Sequence, residues 1–426
     1  MAKGLVIAAP HSGSGKTLVT LGLLRALKNR GVKVTSAKAG PDYIDPAFHA
    51  AATGLPCINL DYWAMGVEAV RFHAGTQARE AELIIIEGVM GMFDGPQGAK
   101  GSTADLAEAL RLPVVLVVDA AKQGQSVAAL VEGFRSFRPG VDLAGVILNR
   151  VSSDRHEAIL HEALSAISIP VLGVLRQIDS LALPSRHLGL VQAQENQQLE
   201  AFIERAASRV SRETNLDKIL ESATSFESYK ISELFLPPLA QTISVARDEA
   251  FSFAYPHMLQ SWRNQGAQLN FFSPLANDTP PRADAIFLPG GYPELHAGKL
   301  AANNDFLEGL RNFKGLIYGE CGGYMVLGDG LIDAQGQRHA MAGLLPLTTT
   351  FAKRKLHLGY RKLQPLGGPW KLPLRGHEFH YSTIEAQGGG EPLFQASDAA
   401  GNELGLIGQR VGKAMGSYAH VIGVAP

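Results

Sequence analysis

A short apolar run, Gly4-Leu5-Val6-Ile7-Ala8-Ala9, leads directly into Pro10-His11-Ser12-Gly13-Ser14-Gly15-Lys16-Thr17 and then into an amphipathic stretch from Lys16 to Lys28. No other feature narrows the possible folds so much. A buried strand that turns at once into a helix presents the free N–H groups of the helix start, which is a site for anions. Gly13 and Gly15 let the backbone of Gly13-Ser14-Gly15 curl around phosphate oxygens. Lys16 is then placed to reach the β/γ-phosphates, and the Thr17 hydroxyl to ligate Mg²⁺. The phosphate-loop pattern G-x-x-x-x-G-K-[ST] is met at Gly15, Lys16 and Thr17, with Pro10 where the first glycine would stand. The cradle does not need that glycine, so a nucleotide such as ATP with Mg²⁺ is the expected occupant.

The rest of the first half repeats this rhythm. Val32 to Ala37, Leu83 to Ile86, Val114 to Val118, Val146 to Leu148 and Val171 to Val174 read as buried strands separated by helical patterns. Continuous apolar strands of this kind form parallel sheets covered by helices on both faces. Such sheets bind ligands at their carboxyl edge, and chemistry-bearing residues collect at those strand ends. Glu87 follows Leu83 to Ile86, with Gly88 after it and Asp94 shortly beyond, and offers a carboxylate for the metal. Lys38 to Pro46 adds a cation and two acids. Asp42 and Asp45 suit a metal or a substrate, and Lys38 suits a phosphoryl or carboxylate group. Asn149, at another strand end, is placed to hydrogen-bond a nucleotide base.

Residues 192–222 turn polar and helical, with Gln194, Glu195, Gln197, Gln198, Glu204 and Arg205 and no strand signal, and Pro237-Pro238 then breaks the chain. A domain boundary is expected there, giving 1–236 and 237–426. Length alone, at roughly 150 residues per domain, suggests about three. The net charge of −1 argues against a nucleic-acid partner. Two cysteines in 426 residues point to a reducing compartment rather than a disulfide framework. No apolar run is long enough for a membrane span or a signal sequence, so a cytoplasmic protein is expected. Glycine makes up 46 of the 426 residues, about 11% against an average of ~7%, and much of the excess lies at strand ends.

The second half restarts with strands at Ile243 to Ala246, Leu269 to Phe272, Ala285 to Leu288 and Leu316 to Tyr318, and a helix at Tyr255 to Asn264. From Arg338 onward the pattern is Gly-rich and resembles antiparallel β with loops. Gly319-Glu320-Cys321-Gly322-Gly323 sits between strand and helix. Small neighbours permit a strained elbow that exposes a nucleophile, and a helix N-terminus should lower the thiol pKa. Cys57 has no such context and reads as structural. Gly290 and Gly291, ending the preceding strand, are natural oxyanion donors. His420, near the end of the chain, is the expected base, with His377 and His380 as competitors.

A nucleotide cradle joined to a thiol elbow suggests amidation in which glutamine supplies ammonia and ATP activates a carboxylate. On Lys38 to Pro46, Glu87 to Gly95, Pro289 to Glu294, Gly319 to Gly328 and Arg375 to Ser382, essentially the whole chain resembles the cobyrinic and hydrogenobyrinic acid a,c-diamide synthase family. Its first part resembles dethiobiotin synthetase, and its second resembles class I glutamine amidotransferases, so an α/β fold is implied for both. The resemblance implies MgATP-dependent conversion of two corrin-precursor carboxylates to amides through acyl phosphates, in cobalamin biosynthesis. L-glutamine and a tetrapyrrole polycarboxylate are the implied partners, and whether the chain forms a homodimer is left open. Gly13, Gly15, Lys16 and Thr17 would hold the triphosphate, and Glu87 with Asp42 the Mg²⁺. Tyr43, Asp45 and Asp94 would line the carboxylate site. Cys321 would form the glutamyl thioester with His420 activating it. Many triad amidotransferases carry an acid two residues after the histidine; here that position is Ile422, so the resemblance leaves a dyad.

Rival readings are cobyric acid synthase, a nickel-tetrapyrrole diamide synthase, and a partitioning or regulatory ATPase with an inactive second domain. The last should carry an extra Lys where His11 stands and has no use for Cys321. A stand-alone glutaminase has no use for Lys16 and Glu87.

Overall fold

The computed structural model describes residues 2–177, 185–186, 189–190, 198–225 and 235–426. The chain divides into two compact units that meet in sequence between Ser232 and Glu233, a few residues before the proline pair.

In the first unit, seven parallel strands form one sheet: β1 (Lys3–Ala8), β2 (Val34–Ala39), β3 (Ile58–Leu60), β4 (Leu83–Glu87), β5 (Val114–Asp119), β6 (Leu143–Val151) and β7 (Val171–Arg176). Their order is β3-β2-β4-β1-β5-β6-β7. Six of the seven follow the apolar runs; β3 is too short to stand out by pattern. Helices α1 (Lys16–Asn29), α2 (Asp45–Thr53), α3 (Tyr62–Ala78), α4 (Thr103–Leu110), α5 (Ser126–Ser136) and α6 (Asp154–Ala166) connect them. The β2–β4 register pairs Lys38 with Glu87, and the β1–β4 register pairs Ile7 with Glu87. The loop after β1, the cation of β2 and the acid of β4 therefore emerge together at the carboxyl edge.

The polar stretch expected to be a helical segment at 192–222 is two helices, α7 (Leu199–Glu213) and α8 (Leu216–Ser222), while 192–197 lie outside the described residues. As a part of the first unit, α7 buries Phe202, Ile203, Ala207 and Val210 in the same core as Val19, Leu23 and Leu27 of α1. The helices cross at Gly22, where a Cβ would lie 2.4 Å from Val210 Cγ2. Arg25 reinforces the crossing by pairing with Glu200 and Glu204. Beyond α8, Thr224–Ser225 pairs antiparallel with Gly4 and Lys3 at the start of β1.

The second unit has a sheet of five parallel strands, in the order Gln268–Phe272, Thr242–Ala246, Ala285–Leu288, Leu316–Glu320, Ala414–Ser417, with Gln409–Val411 antiparallel at one edge. The Gly-rich tail adds a five-stranded antiparallel sheet in which Leu374–His380 lies between His357–Pro365 and His420–Val424. Among the described residues, no helix is long and apolar enough to cross a membrane.

Candidate functional site

Gly15 caps α1 with φ 95°, and Gly13 has φ 82°, both in the left-handed region that glycine enters without strain. Asn149, from the end of β6, donates its amide to the Ser14 carbonyl at 2.9 Å and accepts the Arg150 N–H at 3.0 Å. A Cβ on Gly15 would lie 2.3 Å from that Asn149 amide nitrogen. Asn149 thus braces the loop. Lys16 is 8% exposed and donates to the Met90 carbonyl at 2.6 Å. Burial lowers its pKa, against the pull of Glu87. Asp94 is exposed, accepts the Gly91 N–H at 2.9 Å, and lies close enough to Lys16 to favour its charge.

The Thr17 hydroxyl donates to Glu87 Oε1 at 2.8 Å and lies 3.4 Å from Asp45 Oδ2. Lys38 Nζ reaches Asp45 at 2.6 Å, Glu87 at 2.9 Å and the Gly88 carbonyl at 3.2 Å, with Asp42 at 3.9 Å. Lys38, expected to suit a phosphoryl or carboxylate group, is a buried cation that neutralises the carboxylates of this chain. Burial opposes its charge, yet Asp45 and Glu87 outweigh it and hold the ammonium above its ordinary range. Burial and then Asp42 push Asp45 up to about 7 against Lys38. Asp42 itself accepts the Ile44 and Asp45 N–H groups and is partly exposed. Tyr43 is half-buried beside it.

One participant escaped the sequence reading. His49 on α2 is fully buried, with Nε2 2.7 Å from Glu87 Oε2 and Nδ1 3.8 Å from the Cys57 sulfur. Burial opposes its charge, but Glu87 pushes it up to about 10. Burial likewise opposes charge on Glu87, and Lys38 and His49 overcome it to hold the carboxylate well below its usual range. A histidine among alanines gives no sequence signal; it acquires a role because α2 packs against α1 and β2, from where His49 reaches Glu87 at the end of β4. Oxygen donors from Thr17, Glu87 and Asp45 meeting beside the phosphate loop suit a hard cation such as Mg²⁺.

In the second unit the elbow is as expected: Cys321 has φ 47° and ψ −104° and precedes the helix Gly322–Leu327. The flanking glycines are a packing requirement. A Cβ on Gly323 would lie 2.0 Å from the Leu288 carbonyl oxygen, and one on Gly319 would lie 2.8 Å from the Gly323 carbonyl carbon. Gly290 faces both partners of the chemistry, since its Cβ would lie 2.3 Å from His420 Cε1 and 3.2 Å from Cys321 Cβ. The Gly290 carbonyl is held by the Phe253 N–H at 2.9 Å. Gly291 packs against the Ala250 carbonyl at a distance no side chain would tolerate.

The expected lowering of the thiol pKa is not found. Burial, and then the nearby Glu294, push the Cys321 thiol up, and the Gly322 N–H opposes this only in part. A helix of six residues has too small a dipole to offset loss of water. Burial, with His377 and His380 nearby, pushes His420 down to about 3. Burial thus favours the uncharged form of both the thiol and the imidazole.

Antiparallel pairing sets His377 opposite His420, so the Arg375 to Ser382 segment forms a wall of this site. Within it His380 stacks on Tyr418 at 3.8 Å and approaches Glu378 at 2.8 Å, while Glu378 also accepts from Arg361. The three candidate histidines therefore share one site, and His420 is the one against Gly290.

A CobB/CobQ-like glutamine amidotransferase domain model matches residues 242–425, and a CobQ/CobB/MinD/ParA nucleotide binding domain model matches residues 5–191. The chain is 54% identical to a hydrogenobyrinate a,c-diamide synthase of Brucella anthropi over 99% of this chain and 98% of that protein. It is 54% identical to the Rhizobium meliloti protein of the same name, over 98% and 99%. A Mesorhizobium japonicum protein, also so named, is 47% identical over 99% and 98%.

Proposed function

The chain belongs to the hydrogenobyrinate a,c-diamide synthase family, glutamine-hydrolysing ligases of cobalamin biosynthesis, and we propose that its two units divide that reaction between them. The first unit activates the a- and c-carboxylates of hydrogenobyrinic acid with ATP. The second releases ammonia from L-glutamine. The observation that carries this division is the pair of separate constellations, a phosphate loop with its carboxylates in one unit and a thiol elbow with an imidazole in the other.

In the first unit the backbone of Gly13-Ser14-Gly15 and the ammonium of Lys16 bind the triphosphate, with Asn149 keeping the loop in shape. Thr17, Glu87 and Asp42 would hold Mg²⁺, with Asp45 beside them. When bound, the ion supplies charge neutralisation on the phosphate oxygens. Tyr43, Asp45 and Asp94 line the space for the substrate carboxylate. A carboxylate oxygen attacks the γ-phosphorus and ADP leaves. Ammonia then attacks the acyl carbon and inorganic phosphate departs, giving the amide. Lys38 and His49 hold Glu87 ionised throughout.

In the second unit His420 takes the thiol proton as Cys321 sulfur attacks the glutamine amide carbon. Gly290 and Gly291 N–H groups receive the developing oxyanion. The imidazolium returns the proton to the departing nitrogen, ammonia leaves, and water hydrolyses the thioester to glutamate. The rise in thiol pKa means that this proton transfer accompanies attack, rather than an ion pair waiting in the resting enzyme. A cytoplasmic setting and a homodimer belong to the same proposal.

Incubation with ATP, Mg²⁺, glutamine and hydrogenobyrinic acid should yield the diamide, two successive mass decreases of about 1 Da each as O–H is replaced by NH₂. Absence of product with this substrate, in folded protein that hydrolyses glutamine, would refute the assignment. The Gly290 contacts yield a second expectation. Gly290→Ala should lower glutamine hydrolysis by about 10²-fold or more, because the methyl group displaces His420 and a misplacement of that size is costly. Amidation from ammonia should remain. The two rates, measured side by side, check it.

A further inference from the structure

Position 422, where many relatives of the second unit's fold carry an acid, holds Ile422, buried and apolar, whose carbonyl accepts from His257 at 3.2 Å. An acid nevertheless reaches His420, from a different strand. Glu320 ends Leu316–Glu320 immediately before the nucleophile, and the parallel register with Ala414–Ser417 sets it opposite Ser417, three residues before His420. Its Oε1 accepts the Val421 N–H at 3.0 Å, which directs Oε2 toward His420 Nδ1 at 3.9 Å. Both side chains are almost wholly buried, at 2% and 1% exposure.

From this juxtaposition, we propose that Glu320 is the positioning residue of the thiol chemistry, holding His420 Nδ1–H so that Nε2 faces Cys321. The inference rests on the division of labour proposed above. Among the neighbouring acids, Glu378 also favours charge on His420 but is held by other partners. Glu378 is bonded to His380 and Arg361, and Glu294 bears on the thiol. The separation is 3.9 Å, and catalytic hydrogen bonds are commonly long before substrate binds. Burial pushes Glu320 up to about 8, against the Val421 N–H and the Tyr318 hydroxyl, so the carboxylate that accepts Nδ1–H gains population as the pH rises toward 8. Glu320 keeps its own proton count over the cycle: the thiol proton passes to Nε2 and on to the leaving nitrogen, while Nδ1–H stays between the ring and the carboxylate.

Glu320→Gln tests this cleanly, because the amide oxygen still accepts the Val421 N–H and keeps the fold. Glutamine hydrolysis should fall by about 10²-fold in kcat, within the range that acid–base assistance contributes. The KM for glutamine and the amidation rate from ammonia should stay within about twofold. Glu320→Asp, which restores a carboxylate, should recover part of the loss. In the parent enzyme, glutamine hydrolysis should rise with pH as Glu320 ionises around 8, and the variant should lack that limb. Tyr318 on the same strand, Cys321 on the elbow, and His377, Glu378 and His380 on the facing strand are common to both enzymes, so the difference isolates Glu320. A variant that hydrolyses glutamine within about threefold of the parent and with the same pH profile would overturn the proposal. So would equal loss with glutamine and ammonia. Cys321→Ala run in parallel separates the two levels: if it also retains hydrolysis, the thiol reading itself fails.

Discussion

Cys321→Ala should abolish amide formation from glutamine, by about 10³-fold or more, while amide formation from ammonia continues at the parental rate. Removing a nucleophile ends the covalent route altogether, and what remains is binding and oxyanion stabilisation. The fold should survive: the elbow is held by the Cys321 N–H to the Ser417 carbonyl at 2.8 Å and the Gly323 N–H to the Pro289 carbonyl at 3.1 Å, neither of which involves the sulfur. Product formed from each nitrogen donor, followed by mass spectrometry, provides the measurement. Equal loss with both donors in a folded variant would contradict the separation of roles.

The second large effect is expected at Glu87. Glu87→Ala should remove amidation with either donor and, unlike the cysteine change, should also weaken the fold. Truncation leaves Lys38 and His49 as buried cations beside an empty space. Breaking a buried ion pair by deleting one partner costs about 3–5 kcal/mol. Glu87→Gln refills the space but not the charge, so it should destabilise less and be equally inactive. Urea unfolding of the two variants against the parent, with ammonia-dependent amidation assayed under native conditions, tests both parts. An alanine variant that still makes amide from ammonia would remove Glu87 from carboxylate activation.

The contrast between these sites explains what could be read from the chain alone. Gly13, Gly15, Lys16 and the Gly319 to Gly323 elbow declare themselves locally, because a phosphate loop or a strained turn requires particular residues at adjacent positions. Lys38, Asn149 and His49 do not, since their partners are fixed by parallel register: Lys38 meets Glu87 across two strands separated by 49 residues. The sequence placed Lys38 at the right edge but could not show that Asp45 and Glu87 would enclose it. Glu320 was visible all along, one residue before the nucleophile, yet its distance to His420 depends on the pairing of residues 316–320 with 414–417. The thiol expectation failed for a related reason. A helix start is legible in sequence, but the depth of burial is a property of the whole unit. Likewise α7 is legible as a polar helix, but its apolar positions are spread at helical spacing among charges, and only α1 reveals what they cover.

That return of α7 has a consequence for how the protein is made. The phosphate loop is synthesised within the first 17 residues, but the far side of its helix is closed by Phe202 to Val210, and the first residues of β1, Lys3 and Gly4, are paired by Thr224–Ser225. Contacts between such distant segments pay their loop-closure entropy late. On the ribosome, the packing behind the nucleotide site is therefore completed only once residues 202–225 have emerged from the exit tunnel. The amidotransferase half begins to appear just as its partner becomes able to fold.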